Sequence, residues 1–239
     1  MALTLILPGL NGSGDGHWQR FWLEDDAESR LVEQDDWKSP RVETWMKRLE
    51  EVLAQEGPAY IVAHSLGCLL AAKCADGPST RLIKGALLVA PCDLSTTENL
   101  HPGAIYFGRM PTRALPFPTI TVGSLNDIYM PLESLSLYCR LWGTQTKNLG
   151  QAGHINIESG FGRWTGGYGL LSLLKKRARA HSHSDRPNSQ GDDAFEAGVI
   201  NRKKASTKAE ARSFEGVNLQ RGTVEEDGPG GEADNFNRQ

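Results

Sequence analysis

The sequence predicts an α/β architecture: a mostly parallel sheet of about six strands flanked by helices. Two observations predict it. Short, β-branched apolar runs alternate with longer amphipathic runs up to about residue 179. Strands that alternate with helices imply a parallel sheet covered on both faces, and right-handed crossovers limit its topologies to a few. Finally, Ile61-Val62-Ala63-His64-Ser65-Leu66-Gly67 carries an apolar run straight into a serine among small residues, and a helix-like run, Leu69-Leu70-Ala71-Ala72-Lys73-Cys74-Ala75, follows at once.

Taken in order, strands are expected over 3–7, 31–34, 60–63, 85–90, 119–122 and 146–149. The first is apolar, has no basic region before it and runs into Pro8-Gly9, so a buried strand is expected there rather than a signal peptide. The clearest helix is expected over 41–55, where Val42, Trp45, Met46, Leu49, Val52 and Leu53 follow the 3–4 spacing of one face. Ser39 is its expected N-cap, Pro40 its first position and Gly57-Pro58 its stop. His17 and Trp18 open a first helix. The last helix is expected over 165–179, with Tyr168, Leu170, Leu171 and Leu174 as its apolar side and Lys175-Lys176-Arg177 complementing its negative end. Beyond, residues 181–239 contain no Trp, Tyr, Met or Cys and are rich in Gly, Ser, Asn and charge. Such a segment buries too little apolar surface to offset its ordering entropy, so 1–179 is expected as the folded domain and 180–239 as a disordered tail, with transient helix around 203–214 and no assignable partner.

Composition narrows the function. The 239 residues are 39% hydrophobic with six tryptophans, enough for a core, and the formal net charge is −3. That balance gives no bulk electrostatic case for a nucleic-acid partner. No apolar stretch approaches the roughly 20 residues that span a bilayer, so no membrane is expected either. Cys68, Cys74, Cys92 and Cys139 lack Cys-x-x-Cys spacing and sit in apolar runs. Four buried free thiols in a reducing cytoplasm are expected, without zinc.

The serine segment has the layout of a nucleophile elbow, a sharp strand-to-helix turn that lifts a serine hydroxyl into the open. Its tight packing requires small residues two before and two after the serine, here Ala63 and Gly67. The bland alternative is a helix N-cap serine. A serine hydroxyl needs a base beside it, and the elbow calls for an acid and then a histidine downstream. His154, in the glycine-containing loop 150–156, is the expected base, and Asp127, after the fifth strand, is expected to orient it. Asp93 is the runner-up acid and Glu158 a distant third. Among the other histidines, His64 is expected to point away from the elbow's open face, His101 follows no strand end, and His181 and His183 lie in the tail. An oxyanion needs donors. The backbone N–H of Leu66 supplies one, and the loop 8–14 supplies another, with Leu10 first choice and Asn11 second. That loop lacks the endings of a P-loop and the spacing of a dinucleotide fingerprint.

Together with Leu7-Pro8-Gly9, Gly16-His17-Trp18-Gln19, Asp36-Trp37, Trp45, Asn126-Asp127, Gly153-His154-Ile155-Asn156 and Gly162-Arg163-Trp164, these residues make the chain resemble the small α/β-hydrolases of the retinoblastoma-binding-protein-nine-like family over about residues 2–178. The resemblance implies an α/β-hydrolase fold without a large cap, a Ser65–Asp127–His154 triad and cleavage of esters or related acyl bonds, with no natural substrate attached. Two departures matter. Ala63 stands where many hydrolases have glycine and still meets the steric requirement. No Leu-x-Cys-x-Glu peptide is present, since Leu137-Tyr138-Cys139-Arg140-Leu141 and Leu66-Gly67-Cys68-Leu69-Leu70 both lack the final glutamate, so no retinoblastoma-type partner is carried over. His17 and Trp18 either line an acyl pocket or lock the loop before them, and the structural role is favoured. The leading expectation is thus a serine hydrolase without metal or cofactor, acting on a small-molecule or peptide acyl substrate. The rival is a non-catalytic binding module on the same fold.

Overall fold

The computed structural model describes residues 3–184. Six parallel strands form one sheet: β1 (Thr4–Leu7), β2 (Ser29–Leu31), β3 (Ala59–His64), β4 (Ile83–Val89), β5 (Thr119–Gly123) and β6 (Gln145–Asn148), in the order β2-β1-β3-β4-β5-β6. The helices are α1 (Trp18–Asp25), α2 (Val42–Glu56), α3 (Leu66–Cys74), α4 (Leu94–Leu100), α5 (Leu132–Trp142) and α6 (Thr165–Ser184), with a 3₁₀ turn at Pro78–Leu82. The expected parallel α/β sheet is therefore present, and the described residues include no cap domain.

Alternation along the central strands sorts the core into two layers. Leu5, Leu7, Ile61 and Ala63 face one layer with Trp45, Leu49 and Leu53 of α2 and the leucines of α3. Ile6, Tyr60, Val62, Leu87 and Val89 face the other with Trp18 and Trp22 of α1 and Leu171 and Leu174 of α6. Successive side chains of a strand point to opposite faces, so a strand with helices on both sides must be apolar throughout. Strand β3 is buried at all six positions, and α3 is buried everywhere except at Lys73. No helix among the described residues is long and apolar enough to cross a membrane.

Most strand ends shift by one or two residues, and the following boundaries differ for a physical reason. Strand β2 ends at Leu31 rather than beginning there, because Val32 already leaves the ladder after its N–H binds the Ile6 carbonyl. Helix α2 starts from Arg41, without a side-chain cap, instead of from Ser39. Arg41 bridges to Tyr106, and the Pro40 carbonyl accepts the Tyr106 N–H, so an extended contact holds Pro40 outside the helix. Gly57 does close α2, at φ +83°. Strand β4 stops at Val89 rather than residue 90, where Ala90 turns to φ +46°. Helix α6 continues past Arg179 to Ser184, so the expected boundary at 179–180 falls within it. The expected tail lies from residue 185 onward outside the described residues, and the transient helix expected over 203–214 with it.

The registers pair Leu7 with Ala63, His64 with Val89, Val89 with Val122, and Gly123 with Asn148. The carboxyl ends of five strands therefore lie along one rim. In open α/β sheets that rim is where ligands bind.

Candidate active site

Ser65 leaves the end of β3 at φ +54°, ψ −122°, and α3 begins at the next residue. For a residue with a Cβ this conformation costs on the order of 1–3 kcal/mol, and its surroundings must enforce it. Here the Ser65 N–H binds the Val89 carbonyl at 3.1 Å, and the Ser65 carbonyl receives the Cys68 N–H at 3.0 Å. The turn fits because of small neighbours. A Cβ on Gly9 would lie 2.7 Å from Ser65 Cβ, and one on Gly67 would meet the Leu7 and Pro8 carbonyls. The Ser65 side chain makes no cap hydrogen bond to α3, which removes the N-cap alternative.

Its hydroxyl instead meets His154, with Oγ 2.9 Å from Nε2. His154 Nδ1 lies 2.9 Å from both carboxylate oxygens of Asp127. A carboxylate accepts only, so Nδ1 carries the hydrogen and Nε2 is left to accept from the serine. Asp127 also accepts the Tyr129 N–H at 2.9 Å. Its rivals are occupied elsewhere. Asp93 caps α4, binding Ser95 Oγ and the Thr96 N–H, and Glu158 is exposed with no bond to His154. The structure thus brings Ser65, Asp127 and His154 together in one hydrogen-bonded line. Such a line can pass the hydroxyl proton to the imidazole while the carboxylate holds the imidazolium.

The base is clamped by its own backbone. Its N–H donates to Ser159 Oγ at 3.0 Å, and its carbonyl accepts from His64 Nε2 at 2.9 Å. The next carbonyl, of Ile155, accepts the buried Trp18 indole N–H at 2.9 Å. Ile155 is held at φ +50°, rare for a β-branched residue, between the two layers of this clamp. The His64 and Tyr129 rings flank the imidazole, with centroids 4.9 and 4.4 Å away, and Tyr129 in turn bonds His101. Because a carbonyl only accepts, His64 is the Nε2–H tautomer. Burial first, then the charges of His154 and His17, keep it neutral, well below the usual histidine range.

On the serine's other side, the loop after β1 commits some of its donors and not others. The Asn11 N–H binds the Trp37 carbonyl at 2.8 Å and the Gly12 N–H binds Gly9. The Leu10 N–H has no such partner, and neither does that of Leu66 at the first position of α3, where helices leave donors unused. Asn11, the second choice, is thereby set aside. Gln19, to which the sequence reading gave no role, is fully buried. It accepts from Ser13 Oγ and donates to the Leu7 and Val62 carbonyls, tying loop to sheet. The one signal for it was an amide amid the apolar Trp18 and Trp22. His17 caps α1, its Nδ1 accepting the Gln19 N–H at 3.2 Å, while Trp18 is wholly buried. Trp18 thus has the structural role, and His17 both locks the loop and lines the cavity.

That cavity, about 270 Å³, opens over Ser65. The four cysteines are buried and unpaired, and burial pushes the Cys92 thiol up to about 12. Among the described residues no group of three or more His, Cys, Asp or Glu is arranged to hold a metal ion.

Comparison with known proteins supports a serine hydrolase family and an α/β-hydrolase fold. A family model described as serine hydrolase matches residues 4–173. No curated protein matches the chain. Among solved structures, a YdeN-like hydrolase from Pectobacterium atrosepticum is 27% identical, with a TM-score of 0.65 over 74% of this chain and 92% of that one. The ydeN gene product from B. subtilis is 18% identical, with a TM-score of 0.59 over 74% of this chain and 100% of its own. An α/β hydrolase from the sediment metagenome of the Mar Chica lagoon, 16% identical over 74% of this chain and 91% of its own, has a TM-score of 0.53. The last two speak for the fold alone.

Proposed function

The chain belongs to the serine hydrolase family, and from that premise we propose that it cleaves ester-like acyl bonds through a Ser65–His154–Asp127 triad. The observation that carries the reading is the 2.9 Å contact between Ser65 Oγ and His154 Nε2, with Nδ1 committed to Asp127. Ser65 Oγ attacks the carbonyl carbon and gives its proton to Nε2. The oxyanion is received by the N–H groups of Leu66 and Leu10. His154 returns the proton to the leaving group, which departs as the acyl-enzyme forms. Water then attacks, giving a proton to His154, and the collapsing intermediate takes that proton back onto Ser65 as the acid leaves. Asp127 fixes the tautomer and stays ionised throughout. Small-molecule or peptide acyl groups are the proposed substrates, with no part for nucleic acid or membrane. Within the family we read the chain as one of the retinoblastoma-binding-protein-nine-like group, on its Trp and His positions. Four buried, unpaired thiols support a reducing, cytoplasmic setting.

The test is labelling with a fluorophosphonate, which reacts with activated serines, on the wild type, Ser65→Ala and His154→Ala, alongside hydrolysis of short 4-nitrophenyl esters. Labelling and turnover by the wild type alone are expected. A folded wild type that neither labels nor turns over would put the binding-module reading in its place.

A further inference from the structure

His17 presents a buried hydrogen-bond donor that the protein leaves unused. Its ring is 5% exposed and lines the cavity over Ser65. Its Nδ1 accepts the Gln19 N–H, so in the neutral ring the hydrogen sits on Nε2. Burial foremost, with the neighbouring charges of His154 and Arg20, lowers its pKa to about 4, which keeps that ring neutral at ordinary pH. Among the described residues Nε2 has no hydrogen-bond partner, and it is not sealed from the cavity, since Trp22 Nε1 is the one fully buried polar side-chain atom left without a partner. A substrate that enters the cavity and covers this donor leaves it unpaired, which is costly, unless it offers an acceptor.

The rest of the cavity limits what that is. About 270 Å³ is smaller than most ligand pockets, so only a small group fits wholly inside it. Its walls are polar and apolar in about equal parts, with Asn11, Thr97, Tyr129 and Asn156 among the polar residues. No lysine or arginine lines it, and the exposed carboxylate beside it is Glu158, so an anionic group meets no counter-charge. A short group is favoured by the volume, and an anionic acyl group is disfavoured by the lack of a counter-charge.

We infer that the site takes short, uncharged, polar esters carrying a hydrogen-bond acceptor close to the scissile carbonyl, and that His17 Nε2–H is the donor that recognises it. This rests on the acyl-cleaving reading above. The acceptor sits on the acyl group or on the leaving alcohol, and the same donor serves either.

Isosteric esters test it. Methoxyacetate and butyrate 4-nitrophenyl esters differ by one ether oxygen in place of a methylene on the acyl side. The 2-methoxyethyl and butyl esters of butyrate differ likewise on the alcohol side. Each kcat/KM is divided by the ester's alkaline hydrolysis rate, which removes the intrinsic effect of the oxygen. One pair is expected to show a preference of about 10-fold for the ether oxygen in the wild type. In His17→Asn that preference falls towards one. Asparagine keeps an oxygen able to cap α1 but cannot reach as far as Nε2, so the variant is expected to fold, checked by its melting curve. A decanoate ester is expected to be at least about 10-fold poorer than butyrate. No preference in either pair, the same preference in His17→Asn, or no turnover of any ester by a wild type that still labels at Ser65 would overturn this inference while leaving an activated serine standing. Loss of labelling as well would sink the hydrolase reading with it.

Discussion

Gly67→Ala tests the elbow most directly. A Cβ at this position would sit 2.5 Å from the Pro8 carbonyl oxygen, 2.9 Å from the Leu7 carbonyl carbon and closer still to the Leu7 oxygen. All three atoms are backbone at the end of β1, locked into the ladder with β3, so none can swing aside as a side chain would. Overpacking of a core costs typically 1–3 kcal/mol, and the unyielding partner puts this case at about 3 kcal/mol. Alanine's better helix propensity in α3 returns about 1 kcal/mol, leaving a net loss of about 2 kcal/mol. For a domain of this size that lowers Tm by roughly 4–8 °C. The strain acts where α3 meets the loop after β1, so it also separates the Leu66 and Leu10 N–H groups. Removing one such donor costs about 10²–10³ in rate, and fluorophosphonate labelling is expected to slow at least about 10-fold. Gly14→Ala is the control, since nothing lies within 4 Å of its added methyl, and it should move stability by less than about 0.5 kcal/mol. Calorimetry and timed labelling of both variants measure this. A Gly67→Ala protein that melts and labels like the wild type would refute the steric account of the elbow.

Other outcomes follow from the same contacts. His64→Leu removes the donor to the His154 carbonyl and is expected to lower kcat about 10- to 100-fold with KM little changed, whereas His64→Gln, which keeps an N–H, recovers part of the loss; equal losses in both would mean that His64 only fills space. Asp127→Asn should lower kcat about 10⁴-fold while leaving Tm near that of the wild type, as removal of a tautomer-fixing carboxylate does. Stability should fall as pH drops from 7 to 5. His17 is neutral when folded, with its pKa near 4 against an ordinary 6.5, so the unfolded chain binds more protons in this window and the folded state loses about 2 kcal/mol by pH 5 from this residue. His64, lowered in the same direction, adds to the loss. Urea midpoints at the two pH values measure it, and His17→Asn should flatten the slope. A pH-independent midpoint would mean that these rings are not neutral when folded.

Much of this site is written locally. The apolar run before Ser65 and the glycine two residues after it specify a strand, a sharp turn and a helix, because only those side chains fit the backbone path. That the three residues can meet follows from a parallel sheet, where each strand delivers its loop to the same rim. Capping was read less well. Ser39-Pro40 has the chemistry of a helix start, yet the Tyr106 bridge draws it into extended pairing, and a contact between residues so far apart leaves no trace in local sequence. The choice between Leu10 and Asn11 was open for the same reason. Both N–H groups leave one glycine-rich loop, and only the Trp37 carbonyl, brought there by the fold, consumes the second.

What the sequence determined by itself is the set of elements and the three residues proposed for the chemistry, since periodicity, small residues and chain order are local or topological constraints. The tertiary structure decided which polar groups are already spoken for. Asp93 is spent on its own helix, the His64 N–H on the His154 carbonyl and the Trp18 indole N–H on that of Ile155. His17 Nδ1 is spent on the start of α1, and the rest of its ring lines the cavity. A hydrogen bond is a statement about a partner's position, and for these residues the partner comes from another part of the chain.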